Sequence, residues 1–318
     1  MTNVVADTAA AVAEAGARVV EPPRKIATGF SWPECPRWHN DTFWFSDMYT
    51  ATLKTLDAEG NATVVVDASG RRAGTDVPIV LGGFGWLPDG RLIVTSMHEK
   101  LVLVHGGNGP EDLEVLADVS GFAQAAINDM VVDADGRAYV TQLGFDLFAG
   151  QDPVPSPLIV VEPDGTASTA DEVGPLLCAN GIAISADGTK VFTAEVMAQK
   201  ITVIDRAADG TLSNPPRAFA TCPFLPDGIG LDEDGGVWAA MPGSGYVARF
   251  TENGMTDAIP LPPLENGVAS ACLLGGPDRS TLCMTVGVEV FDFEKSAREA
   301  LGSIWVADVS ARGGATRP

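Results

Sequence analysis

Apolar and polar residues alternate in short runs along most of this chain, and the runs come in pairs joined by an acidic turn. The clearest pair spans Asn180–Glu195. Ile182, Ile184, Val191 and Phe192 are its apolar positions. Asp187-Gly188 is its turn, because glycine takes positive φ without steric cost. The stretch reads as a β-hairpin with Asn180 just before one strand and Glu195 just after the other, so both lie at the same end. The pattern returns at Gly82–Thr95, Asn128–Thr141 and Asp227–Ala240, and more weakly at Glu34–Ser46 and Ala271–Thr285. In each copy an Asp stands seven residues after the leading position. The leading positions Glu34, Gly82, Asn128, Asn180, Asp227 and Ala271 fall 44 to 52 residues apart. A period of about 40–50 residues built from short strands marks a β-propeller.

Further alternating runs follow each hairpin, at Thr52–Leu56, Leu101–Val104, Leu158–Val161, Ile201–Ile204, Tyr246–Phe250 and Ser303–Val309. Four strands per repeat predict an all-β fold, a six-bladed β-propeller with four-stranded blades around a central channel. Ile26–Thr28 is the candidate to complete the last blade, which would leave no free edge there. Residues 25–318 then form one domain and residues 1–24 a lead-in segment, with a short helix over Ala9–Ala17 ended by Pro22-Pro23. Two loops are long. Gly144–Pro157 carries Phe145 and Phe148, and Val286–Leu301 carries Phe291, Phe293 and a helical stretch. Long ordered loops in compact domains often serve as lids or binding loops.

Charge narrows the partners. The net charge is −22, which opposes binding to nucleic acid and to anionic membrane surfaces and favours solubility and cation attraction. No apolar run reaches the length of a membrane span, and Asp7 and Glu14 interrupt an N-terminus that lacks a basic region. Five scattered cysteines without a CxxC pair fit a reducing, cytoplasmic setting. Cys272 and Cys283 sit across the last hairpin from each other and read as buried thiols rather than a bridge.

In a propeller the leading positions of all repeats converge at one mouth of the channel. Glu34, Asn128, Asn180 and Asp227 would meet there, two carboxylates and two amides with no basic partner in the ring. Carboxylates buried together need compensation, and a cation supplies it. Oxygen donors alone suit Ca²⁺, Mg²⁺ or Mn²⁺ rather than a thiolate-bound metal. Asn-Gly and Asp-Gly are also ordinary turn pairs, and it is the shared register that separates a site from coincidence. Gly82 and Ala271, being small, would leave room for water and substrate.

These residues carry a resemblance. Trp32-Pro-Glu-Cys-Pro-Arg-Trp38, Asn128-Asp-Met-Val-Val-Asp133, Ala179-Asn-Gly181, Pro226-Asp-Gly228 and Cys272-Leu-Leu-Gly-Gly276 resemble the motifs of the senescence marker protein/gluconolactonase family, also called regucalcin-like. The resemblance implies a propeller binding one divalent cation through Glu34, Asn180 and Asp227, with Asn128 touching metal or substrate. Ca²⁺ is its first candidate, with Mg²⁺, Mn²⁺ and Zn²⁺ as alternatives. It implies a lactonase, a hydrolase of carboxylic ester bonds, in which the metal polarises the carbonyl and a base activates water. Asp227 is the family's usual base, and Glu195 is a second candidate. His98 follows a second strand, so it lies at the ring's mouth and could orient substrate or relay a proton. His39 and His105 read as structural.

One departure bears on the substrate. Sugar-lactone hydrolases of the family often carry Arg two residues before the Asn of the third motif, where this chain has Ala126. Nearby loops offer Trp32, Phe84, Phe145, Phe148, Met197 and Phe224 as substrate contacts, which points to a lactone less polar than a sugar lactone. The alternatives are an aryl-ester or organophosphate hydrolase, since diisopropylfluorophosphatase and paraoxonase are similar propellers, and a calcium- or ligand-binding propeller without turnover.

Overall fold

The hairpins form where the alternation places them, and each takes up two more strands on its outer side. The structure is a computed structural model that describes residues 2–71, 79–147, 149–213, 215–263 and 267–317. The inner strands are Pro33–His39, Leu81–Trp86, Ile127–Val132, Ala179–Ile184, Ile229–Leu231 and Val268–Gly275, in blades one to six. Each inner strand packs beside the next, and the last packs against the first, so the blades close into a ring. The fold is a six-bladed β-propeller.

The sixth blade is completed by the N-terminal strand Arg24–Phe30, which pairs with Gly302–Asp308. This is the expected closure, and it ties the two ends of the chain into one sheet. Blade five has an additional strand. Arg18–Val19 runs parallel to Gly254–Pro260 at its outer edge. Before it, helix α1 (Thr2–Glu14) lays Val12 into the apolar cluster of blades four and five. The helix starts earlier and stops sooner than the alanine-rich composition suggests. Gly16 sits in the left-handed conformation that ends helices.

Neighbouring blades bury their facing sides against each other. Leu53 and Val66 of blade one pack with Leu81, Phe84, Val94 and Leu103 of blade two. The acidic turns close the far ends of the hairpins. Asp133 Oδ1 accepts from the backbone N–H of Asp135 and Arg137, both at 3.0 Å, and Asp187 Oδ1 accepts from that of Thr189 at 3.0 Å. The C-terminal residues cross this end of the channel, where Arg317 pairs with Ile184 and Thr316 Oγ1 donates to Leu231 O at 3.2 Å. All five cysteines are free and buried. Cys272 pairs with Met284 and Cys283 with Leu273, so adjacent rungs turn the two thiols to opposite faces of the sheet.

Candidate metal centre and active site

The pairing of inner strand to second strand slips at the channel mouth in five blades. It slips between Glu34 and Arg37, Leu81 and Phe84, Ile127 and Met130, Ala179 and Ile182, and Ala269 and Ala271. Each slip is a β-bulge, which frees residues from the ladder and re-aims their side chains. Asn128 and Asn180 stand in two of these bulges. In blade five, Asp227 lies just before the short inner strand and is locked by its neighbours. Its N–H donates to Ala240 O at 2.9 Å, and Gly181 N–H donates to its carbonyl at 3.3 Å.

A row of threonines on the second strands pins the bulges. Thr141 Oγ1 accepts from Asp129 N–H at 3.0 Å, and Thr285 Oγ1 accepts from Ala271 N–H at 3.0 Å. This equivalence corrects the register of blade six. Asp129 corresponds to Ala271, so the counterpart of Asn128 is Ser270, not Ala271. The sixth bulge holds one unpaired residue instead of two, and the sequence spacing hides that. The small residues also have a different purpose from the expected one. A Cβ on Gly82 would come 2.7 Å from Asn128 O, and one on Gly228 would come 2.2 Å from the Ala271 Cβ. They let neighbouring inner strands approach closely.

Glu34, Asn180 and Asp227 come together at this mouth. Glu34 is 8% exposed. Burial, then the charge of Asp129, pushes its carboxyl up to about 7, against the Cys35 N–H that donates to Oε2, Ser270 and Arg37. The Cys35 bond is 2.8 Å long. Burial also pushes Asp227 well above the usual carboxylate range, followed by repulsion from Glu34 and Asp129, while a hydrogen bond from Asn180 opposes the shift. Asp227 Oδ1 is buried without a hydrogen-bond partner. Arg37, the nearby guanidinium, is already occupied. It donates to Asp129 Oδ1 at 2.6 Å, Met130 O at 2.7 Å, Pro36 O at 2.9 Å and Phe84 O at 3.0 Å. Neither Asp129 nor Arg37 was singled out from the sequence. The Asp of the Asn-Asp pair and the Arg of Pro-Arg-Trp were the available signals.

Among the described residues there is no group of three or more His, Cys, Asp or Glu side chains arranged to hold a metal. The donor set here is mixed, the carboxylates of Glu34 and Asp227 and the amide of Asn180. It fits a hard divalent cation, which would pair with the orphaned Asp227 Oδ1 and offset the burial and repulsion that raise both carboxyls.

Glu195 does not fit the part of a base. Its Oε1 accepts from Thr202 Oγ1 at 2.5 Å and pairs with Lys200 Nζ at 3.0 Å, while Oε2 accepts from Leu177 N–H at 2.9 Å. It tethers the loop leading into blade four, as Asp47 does in blade one by accepting from Ser31 and Trp32 N–H. Sequence position places it at the correct mouth, but its partners use both oxygens.

Above the polar ring lies an apolar layer. The residues two before the leading positions build its floor, namely Trp32, Val80, Ala126 and Cys178. Phe145 and Met197 join it, so three of the expected aromatic and methionine contacts, Trp32 included, are in this layer. Two are elsewhere. Phe84 is fully buried between blades one and two with Arg37 over its ring at 5.3 Å, because it follows the bulge and points into the blade interface. Phe224 packs half-buried against the cluster of blades four and five. Phe148 lies outside the described residues. His98 borders a groove of about 310 Å³ with Ala126, Leu143 and Phe145 on its apolar wall and Lys100 and Asp146 on its rim. Burial pushes the His98 imidazole down, against the charge of Asp146.

Comparisons with known proteins agree with this architecture. Residues 32–288 match the SMP-30/Gluconolactonase/LRE-like region. Over 310 residues the chain is 26% identical to pentonolactonase XacC of Haloferax volcanii, a match covering 91% of this chain and 95% of the relative. Its fold is similar to that of a calcium-binding regucalcin from Agrobacterium tumefaciens, with a TM-score of 0.71 at 18% identity, covering 93% and 97% of the two chains. It is also similar to that of a gluconolactonase from Xanthomonas campestris, with a TM-score of 0.68 at 22% identity, covering 90% and 89%. The chain belongs to the SMP-30/gluconolactonase/LRE-like family.

Proposed function

We propose that this protein is a metal-dependent lactonase acting on lactones less polar than sugar lactones. The observation that carries the reading is the pair of buried, mutually repelling carboxylates of Glu34 and Asp227, with one Asp227 oxygen unpartnered, in a family whose named relatives include lactonases. Glu34, Asn180 and Asp227 would hold the cation, with Asn128 beside it, and calcium is the first candidate. When bound, the cation would polarise the lactone carbonyl and stabilise charge on its oxygen. Asp227 acts as general base. It takes the proton of the attacking water as the new C–O bond forms, and returns it to the ring oxygen as that oxygen leaves. Asn128 orients the carbonyl. Arg37 holds Asp129, which keeps the inner strands of blades one and three in register beneath the ring.

The substrate class follows from the layer above the ring. Ala126 stands where a cation would grip a polar lactone, and Trp32, Phe145 and Met197 surround the approach. Burying an apolar substituent of roughly 100 Å² gains about 2.5 kcal/mol. Medium-chain or aryl lactones should therefore be cleaved faster than gluconolactone. The five free, buried thiols support a reducing, cytoplasmic setting.

The test is a substrate panel on metal-stripped protein reloaded with Ca²⁺, Mg²⁺, Mn²⁺ or Zn²⁺. Asp227→Ala should lose both stoichiometric metal and lactone turnover, and Glu195→Gln should keep turnover at reduced stability. Metal binding unchanged in Asp227→Ala would place the centre elsewhere. Turnover of phenyl acetate or paraoxon without any lactone would favour an aryl-ester or organophosphate hydrolase, and tight metal binding with no turnover a binding protein.

A further inference from the structure

The chain between Gly287 and Gly302 leaves blade six at the ring's mouth and reaches across to blade one. Val290 O accepts from Tyr49 Oη at 2.8 Å. Helix α2 (Phe293–Glu299) follows, capped by Asp292, which accepts from Lys295 N–H. Phe293 stacks on the Tyr49 ring at 4.3 Å and lies 6.0 Å from the His98 ring of blade two. Tyr49 in turn stacks on Trp32 at 6.0 Å. Ser296 Oγ donates to Ser31 O at 3.0 Å, which fastens the helix to blade one.

These contacts roof the ring. Tyr49 is close enough to Glu34 and Asp227 for their charges, after burial, to push its phenol up. Val290 and Phe293 pack on the same apolar layer that covers the donor atoms, and Asp227 Oδ1 beneath it is buried. A substrate must displace part of this roof to reach the ring. Most of the layer is rooted in blade strands or their tight turns. The α2 segment differs. Behind it lies a cavity of about 530 Å³, bordered by Lys25, Ser31, Val286 and Lys295, so this side of the helix is not packed against a blade throughout.

We propose that α2 is the lid of the active site and that Phe293 is a specificity-determining residue, closing over the apolar substituent of a lactone held at the ring. The proposal rests on the lactonase reading above. Tyr49 gives Phe293 a flat surface to return to, and the apolar substituent takes that surface when substrate is present. The ester end faces the oxygen donors below while the substituent meets Phe293 above.

Two readouts on the full-length, calcium-loaded protein test it. The first is the ratio of kcat/KM for γ-decalactone to that for γ-butyrolactone. Phe293→Ala should lower the ratio about tenfold with γ-butyrolactone little changed, and Phe293→Leu should restore most of it. An unchanged ratio, or an equal fall for both lactones, overturns the specificity role. The second needs no turnover. Cys178 lies under the roof, so its alkylation by N-ethylmaleimide, followed by peptide mapping, reports lid opening. Phe293→Ala should speed that labelling severalfold while Cys272 and Cys283 in the blade-six sheet stay protected. Unchanged Cys178 labelling, or equal labelling of all three, overturns the lid. A wild-type protein that cleaves no lactone removes the lactonase reading, and the thiol experiment then decides the lid by itself.

Discussion

Glu34 and Asp227 are held in a place where neither can ionise cheaply without a cation. For Glu34 the folded, metal-free protein keeps a proton up to about 7, whereas the unfolded chain releases it near 4.5. Between those values the native state binds more protons than the unfolded state, so stability falls as pH rises through this window. Asp227 shifts in the same direction. Chelator-treated protein should lose roughly 3 kcal/mol of unfolding free energy between pH 4.5 and pH 7. Glu34→Gln should flatten that slope, and saturating calcium should remove it by stabilising the ionised pair. Urea titrations at the two pH values measure the effect, and a metal-free protein that grows more stable towards pH 7 would contradict it. At this scale the sequence named both acids of the mouth but could not weigh them. Glu195 and Asp227 are both acids at the same mouth. Only their partners, three for Glu195 and none at Oδ1 for Asp227, tell the two acids apart.

The element that shapes the ring is the bulge at the start of the inner strand in five of the six blades. Regular pairing would point alternate residues into the blade interfaces, and the slip frees Asn128 and Asn180 from it. Glycines beside the bulges let the strands converge. Gly228→Ala would bring a Cβ to 2.2 Å from that of Ala271 and 2.6 Å from its Cα. The clash should cost about 1–3 kcal/mol of stability and move Asp227, so calcium affinity should fall along with the melting temperature. Calorimetric titration beside thermal melts checks this, and an unaltered affinity at lowered stability would separate the glycine from the site. The bulges were partly legible. Threonine recurs in four of the six copies, at Thr95, Thr141, Thr193 and Thr285, but it reads as strand propensity until the hydroxyls of Thr95, Thr141 and Thr285 are seen on backbone at the bulges.

At the scale of the molecule, the ring closes through residues far apart in sequence. Arg24–Phe30 supplies the outer strand of blade six, and the helix and strand before it cover the side of blades four and five. Deleting residues 2–17 should lower the melting temperature by a few degrees, because it uncovers apolar surface around Phe192 and Phe219. Deleting residues 2–30 should abolish cooperative unfolding, since blade six then presents an open edge and the ring is no longer tied. Thermal melts of the two truncations compare the effects. A cooperative transition in the longer deletion would show that the ring closes by inner-strand packing alone. Access to the channel is also set at this scale, with the C-terminal residues across one mouth and α2 over the other.

The repeat period, the number of blades and the closing strand were written in the sequence, as was the shared register that carries Glu34, Asn180 and Asp227 to one mouth. Alternation and acidic turns are local, and a propeller repeats one local unit. The tertiary structure decided what depends on neighbours. It shifted the sixth blade's ring residue to Ser270 through a one-residue bulge. It turned Phe84 and Phe224 into packing residues and brought Arg37 and Asp129 together beneath the ring. It also set Phe293 on Tyr49, two residues on the first and last blades. Their separation along the chain is large, and no local pattern links them. Contact between them exists because closing the ring places blade six beside blade one.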